Sequence, residues 1–394
     1  MAEPGITVHL KRGGEKRIRS GHLWVFSNEI ASVDGSVTAG DSVIVVDAAG
    51  RVLGTGYMNP NSLISVRLLA RRRLELSKSF LGRRIRRALE YRERLWPGEK
   101  VGRLVYGESD LLPGLIVDRY GDTLAVQSLT AGIEKRLEGI IELLTELLEP
   151  KTIVLRNDSR MRSFEGLPVE KQVALGNADD PVEIEQDGLT FLVDVLDGQK
   201  TGFFLDQREN RLRTRVLAKG RDVLDCCCYT GAWSVTAAKA GANSVSAIDS
   251  SKPALALAER NAALNGVKDA MRWVHGDMFQ KLSAIGRGST KFGLVILDPP
   301  ALAKSRKRIR EALKGYRALN RMAMSLTEPG GHIVTCTCSH LVEQEAFMNA
   351  LVGAAREADR HARIIEVRGQ SRDHPVVLGH PETRYLTCVV LELL

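Results

Sequence analysis

The chain changes its hydrophobic grammar twice. Over residues 1–70, short apolar runs (ITVHL, DSVIVVD, RVLGTGYM, SLISVRLL) are rich in β-branched side chains and separated by Gly, Asp, Asn or Pro. That pattern predicts the strands of a small barrel. Residues 75–96 switch to a helical period. Leu76, Phe80, Leu81, Ile85, Ala88, Leu89 and Arg92 fall near one stripe, and Pro97-Gly98 closes the helix. From Arg103 the order is strand, turn, strand, helix, strand. Tyr120-Gly121-Asp122 makes the turn, an amphipathic helix ends at Pro150, and TIVLRND is the next strand. A further hairpin turns at Asp187-Gly188.

After Arg208 strands and helices alternate. DVLDCCC, SVSAIDSS, RWVHGD, FGLVILDPP, GHIVTCTCS, RIIEVRGQ and TRYLTCVVLELL read as strands with helical segments between them. Such alternation implies a doubly wound α/β sheet. The chain thus reads as three domains: 1–72, a β-barrel; 73–182, a small central α+β domain; and 183–394, a Rossmann-like sheet led by a hairpin. No internal repeat is evident.

Composition narrows the class. The 394 residues are 44% hydrophobic, enough for more than one core, so wholesale disorder is excluded. The N-terminus lacks an apolar signal core, and no stretch approaches the ~20 apolar residues of a membrane span. Six cysteines, three of them adjacent, make neither a disulfide framework nor a zinc pattern. A cytoplasmic protein with reduced thiols and no metal is expected. The net charge is +8, unevenly spread. Residues 71–94 hold ten basic against three acidic side chains, and residues 304–321 hold eight basic against Glu311. Either block could be a solvated helix face; two together suggest a polyanionic partner. The candidate RNA contacts are Lys11, Arg12, Arg71, Arg72, Arg83, Arg84, Arg86, Arg87, Lys304, Arg306, Lys307 and Arg308.

The candidate chemistry lies at the strand ends. VLDCCCYTG is an apolar strand ending in Asp225, then a turn with Cys227, Tyr229, Thr230 and Gly231, then a helix. Open α/β sheets hold ligands at this place. Asp249, followed by Ser250, ends the next strand, where an acid can accept from both ribose hydroxyls of an adenosine. A third strand leads to Asp277-Met278, where an acid could accept from an adenine amino group, and a fourth to Asp298-Pro299-Pro300. Asn265 lies between the second and third. One such Asp is commonly just a helix N-cap. Four in this order indicate an S-adenosylmethionine-dependent methyltransferase. Phe204, Gln207 and Arg208 precede the core and add an aromatic and donors; Arg208 could pair with the cofactor's carboxylate, or the segment could simply brace the core.

The strand after Asp298 ends Thr335-Cys336-Thr337-Cys338-Ser339. Carbon 5 of a pyrimidine needs a thiolate at carbon 6 before it can attack a methyl donor. Protonated Asp298 near the ring could then stabilise the developing charge. Parity puts Cys336 and Cys338 on the same face, so it cannot choose between them; Cys338 lies nearer the strand end. Ala301 stands where enzymes methylating exocyclic amines carry an aromatic after Asp-Pro-Pro.

These residues complete a wider likeness. Gly21-His22-Leu23-Trp24-Val25-Phe26-Ser27, Glu108 to Tyr120, Gly198 to Arg208 and Asp373-His374-Pro375-Val376 make the whole chain resemble the bacterial 23S ribosomal RNA 5-methylcytosine methyltransferases of the large-subunit methyltransferase I type. The resemblance implies an N-terminal PUA domain, a class I methyltransferase fold, S-adenosylmethionine as cofactor, 23S ribosomal RNA as partner and a homodimer. It also implies Cys338 as nucleophile, with Thr337 and His340 departing from the family's residues beside it. Competing readings are methylation of an exocyclic amine of guanine or adenine, and a non-catalytic RNA-binding assembly factor.

Overall fold

The computed structural model describes residues 5–303 and 305–394. Among them the chain forms two compact units. The first comprises 5–184, 193–205 and 372–383; the second comprises 185–192, 206–303, 305–371 and 384–394.

The first unit holds two sheets. The N-terminal one has six strands in the order Trp24–Val25, Val66–Ala70, Val52–Met58, Asp41–Val46, Thr7–Leu10, Ile30–Asp34. Its interior is apolar and β-branched, including Val8, Val25, Val43, Val45 and Val66, all fully buried. The second sheet runs Glu170–Leu175, Thr152–Asn157, Thr123–Ser128, Leu115–Tyr120, Val101–Tyr106. Its hairpin pairs Tyr120 with Thr123, as the Gly121-Asp122 turn requires. Against this sheet packs the helix Lys78–Leu95, burying Phe80, Leu81, Ile85 and Ala88. The helix begins three residues later than its apolar stripe suggested, because the Ser77 hydroxyl accepts from the Phe80 N–H and fixes the N-cap there. Arg92 belongs to the buried stripe because its guanidinium meets Asp110 at 2.5 Å.

The second unit is built on seven strands in the order Met271–His275, Ser244–Asp249, Asp222–Cys226, Phe292–Leu297, Thr327–Thr337, Thr387–Leu393, Ala362–Arg368. The first five are parallel and the last two antiparallel to their neighbours. Phe292–Leu297 is buried at every position, the near-continuous apolar run of a strand covered on both faces. Between its last two strands in sequence, the chain leaves this unit, contributes 372–383 to the first, and returns. The hairpin of Val182–Gln186 and Leu189–Val193 turns through Asp187 (φ +56°) and Gly188 (φ +75°), the left-handed pair of a tight β-turn.

Candidate active site

The carboxyl ends of the parallel strands carry the predicted acids, each in a different state. Asp225 is fully buried beneath the turn. One carboxylate oxygen accepts from the Ser234 hydroxyl at 2.5 Å, and the other has no partner. Burial raises its carboxyl to about 7, with the charges of Asp298 and Asp249 pushing the same way and Ser234 opposing.

The turn after Asp225 is locally strained. Cys227 (φ +65°) and Tyr229 (φ +50°) hold left-handed backbones without being glycine. Gly231 (φ +80°) needs to be glycine twice over, since a Cβ there would stand 3.0 Å from the Ala258 methyl. The turn is tied to the next strand by the Tyr229 N–H, which donates to Asp249 at 2.8 Å. Thr230 is buried with its hydroxyl unpartnered. Asp249 also accepts from the Ser251 N–H at 2.8 Å, while Ser250 is exposed. Asp277 caps the helix Met278–Ile285 by accepting from Gln280 N–H at 3.0 Å, so the capping role holds for this acid. Met278 is buried, its sulfur 3.2 Å from the Cys227 sulfur.

Asp298 differs from the sequence expectation. Gln207 Nε2–H donates to one of its oxygens at 3.0 Å, and Trp233 Nε1–H donates to the other at 3.0 Å. Two donors suit an ionised acceptor, not a protonated donor. The carboxyl that burial raises is Asp225, at the end of the neighbouring strand of the sheet. Trp233 was missed as a site residue; its only sequence signal is an indole in the first turn of the helix after the strand.

Two other predicted residues are engaged within the fold. The Arg208 guanidinium grips Asp187, with contacts of 2.7 to 3.1 Å. The Asn265 side chain accepts from Thr190 N–H at 3.0 Å and donates to Thr190 O at 2.6 Å, clasping the hairpin tip to the helix Lys252–Leu264. Both contacts use the 185–192 turn, which sequence spacing could not place beside them. Phe204 belongs to the first unit, where the Lys200 ammonium lies 4.4 Å from its ring centre.

The two candidate thiols separate clearly. Cys336 is fully buried, directly opposite Cys388 in the antiparallel register, and burial pushes its thiol well up. Cys338 lies just past the end of Thr327–Thr337, partly exposed, its sulfur 4.0 Å from the Pro299 carbonyl. On either side of it, the Thr337 hydroxyl donates to the Tyr316 hydroxyl at 2.9 Å, and Ser339 and Tyr316 hydroxyls lie 3.0 Å apart. This buried network, unseen in the sequence, fixes the backbone around Cys338 next to the residue following Asp298. The basic residues Arg306, Lys307 and Arg308 are exposed in this unit, while Lys304 lies outside the described residues. Lys11, Arg12, Arg71, Arg72, Arg83, Arg86 and Arg87 are exposed in the first unit.

Comparison with known proteins fits this geometry. Residues 8–71 match a PUA-like domain, and residues 168–377 match an S-adenosylmethionine-dependent methyltransferase domain. The ribosomal RNA large subunit methyltransferase I of Shewanella denitrificans is 39% identical over 98% of both chains. That of Pseudoalteromonas atlantica is 38% identical over 99% of both. The chain belongs to the ribosomal RNA large subunit methyltransferase I family. Crystal structures share the fold of this family member at low identity. One, a methyltransferase complexed with SAH, is 20% identical with a TM-score of 0.85 over 98% of this chain and 99% of that one. Another, from Streptococcus mutans, has a TM-score of 0.83 at 19% identity and the same coverage.

The residues fit the family's cofactor. A buried, unpartnered oxygen on Asp225 and the unpartnered Thr230 hydroxyl lie at the strand end and in the strained turn that follow one another in sequence. Polar atoms sealed in this way are costly unless a ligand supplies the missing partner.

Proposed function

We propose that this S-adenosylmethionine-dependent methyltransferase forms 5-methylcytosine in 23S ribosomal RNA through a covalent adduct with Cys338, working in the cytoplasm. The observation that carries the reading is the partly exposed Cys338 sulfur beside Pro299, set against the sealed Cys336. The names of the relatives support ribosomal RNA as substrate.

S-adenosylmethionine, when bound, supplies an electrophilic methyl group. Asp225, Asp249 and the turn Cys227–Gly231 would hold it. The Cys338 thiolate forms a bond to carbon 6 of cytosine, and its electrons make carbon 5 nucleophilic. After carbon 5 gains the methyl, loss of its proton re-forms the double bond and the carbon–sulfur bond breaks. Asp298, oriented by Gln207 and Trp233, serves as a fixed acceptor beside this chemistry. The absence of an aromatic at Ala301 favours this route over exocyclic amine methylation, where the base is stacked.

The test is transfer of labelled methyl to an unmodified 23S ribosomal RNA transcript, with nucleosides separated by mass spectrometry. Label in 5-methylcytidine supports the proposal. Label in a methylated guanosine or adenosine overturns it.

A further inference from the structure

The first unit contains a cavity of about 440 Å³ whose walls come from three distant parts of the sequence: Gly21 and His22, Arg71 and Arg84, and Leu378 and Gly379. The 372–383 segment is seated directly on the N-terminal sheet. A Cβ on Gly379 would lie 2.7 Å from the Gly21 Cα, so only glycine permits the approach. A side-chain bond anchors the same segment. Trp24 N–H donates to His22 Nδ1 at 3.1 Å, which puts the ring proton on Nε2, and Nε2 faces Glu382 at 3.2 Å. His22 and Glu382 therefore clasp the segment to the sheet, and in this tautomer His22 offers no lone pair toward Glu382; His380 lies beside them with both ring nitrogens buried and unpartnered.

The cavity's charge is uncompensated. The fully buried guanidiniums of this unit have carboxylates: Arg67 with Glu165, Arg92 with Asp110, Arg103 with Asp118, Arg162 with Glu134. Among the described residues, the exposed Arg71 and the half-buried Arg84, which lies 5.3 Å from the Phe80 ring centre, have no carboxylate. Arg84 is half-buried, its Nη2–H donating only to the Leu69 carbonyl at 3.0 Å. Burial, with Arg87 and Arg72 close enough to repel it, lowers its pKa. Arg71 reaches only the Ile18 carbonyl, at 3.5 Å. On the rim Leu378 is fully exposed, an apolar side chain with nothing to cover it.

We infer that this cavity takes one unstacked nucleotide of the RNA, its phosphate on Arg71 and Arg84 and its base against Leu378 and the leucine-lined floor. A phosphate supplies the counter-charge that these two guanidiniums lack. A base lifted from its stack supplies an apolar face that would cover Leu378, and unstacked bases are the parts of RNA that proteins reach. The inference rests on RNA being the substrate, and it adds a holding site distinct from the strand-end acids of the second unit.

The experiment measures the dissociation constant for an unmodified 23S ribosomal RNA transcript, over a salt series. Leu378→Glu, at a fully exposed position, and the double substitution Arg71→Ala with Arg84→Ala should each weaken binding about tenfold. The double substitution should also flatten the salt dependence by about one phosphate contact. Lys16→Ala with Arg160→Ala, two exposed cations of the same unit outside the cavity, should weaken binding only about twofold. An unchanged thermal unfolding transition by circular dichroism verifies folding. Equal losses for the two double substitutions, or an unchanged constant for Leu378→Glu, overturn the pocket. Failure of the unaltered protein to bind the transcript overturns the RNA reading itself.

Discussion

Asp225→Asn is the substitution whose consequence follows most fully from the structure. The carboxyl ionises near 3.8 in an unfolded chain and near 7 in the fold. Between those values the folded state holds a proton that the unfolded state has released, so stability falls as pH rises. Each pH unit of difference is worth 1.36 kcal/mol. The folded state therefore loses about 2 kcal/mol to this group at pH 5 and about 4 kcal/mol at pH 9. Asparagine cannot ionise, so it escapes this loss. It keeps an acceptor for the Ser234 hydroxyl but buries an amide where the unpartnered oxygen stood, a cost of about 1–3 kcal/mol that does not vary with pH. The stability difference between Asp225→Asn and the unaltered protein should thus move by about 2–3 kcal/mol in favour of the variant from pH 5 to pH 9. Urea denaturation of the ligand-free protein at both values, followed by circular dichroism, measures it. A difference that stays constant with pH refutes the buried, raised carboxyl.

Other consequences are more local. Trp233→Phe keeps the aromatic packing and removes one donor to Asp298; a charge-assisted bond worth about 1.5–3 kcal/mol predicts at least a tenfold fall in kcat, and unchanged turnover would remove Trp233 from the site. Cys336→Ala should retain methyl transfer and lose about 1–2 kcal/mol of stability from the small cavity in the sheet, whereas abolished transfer with intact folding would shift the nucleophile to Cys336. Reversing the charge of Arg83, Arg86 and Arg87 together should weaken RNA binding and reduce its salt slope, and an unchanged dissociation constant with an unchanged salt slope would remove the basic helix from the interface. The protein should sediment as a homodimer at twice its 43.3 kDa, and a concentration-independent monomer mass would contradict that expectation.

Much of this site was legible in the sequence because parallel strands in an α/β sheet all end on the same side. Apolar runs closing on Asp225, Asp249 and Asp298 could be placed at one edge without coordinates. The pattern also located the helix Lys78–Leu95 and the hairpin at Gly121-Asp122 to within a few residues. What periodicity could not supply was side-chain partnership across long separations. Arg208 reads as a free cation until the hairpin returns Asp187 to it. Asn265 reads as a polar strand-end neighbour until its amide closes on Thr190. Burial, too, is a property of the whole fold. It separates Asp225 from Asp298, which both close apolar strands, and Cys336 from Cys338, which strand parity leaves equivalent. The excursion of residues 372–383 into the first unit lies beyond any local signal, since the strands on both sides of it belong to the second.

The covalent route is tested most directly with a 23S ribosomal RNA transcript containing 5-fluorocytidine. Fluorine at carbon 5 cannot leave as a proton does, so the enzyme cannot release its sulfur after methylation. Incubated with S-adenosylmethionine, the protein should become linked to this RNA in a complex that survives denaturant, with the attached nucleotide mapped by peptide mass spectrometry to Cys338. The Cys338→Ala variant should form none. Methylation of the unsubstituted transcript by Cys338→Ala, or attachment mapped to another residue, would contradict the account.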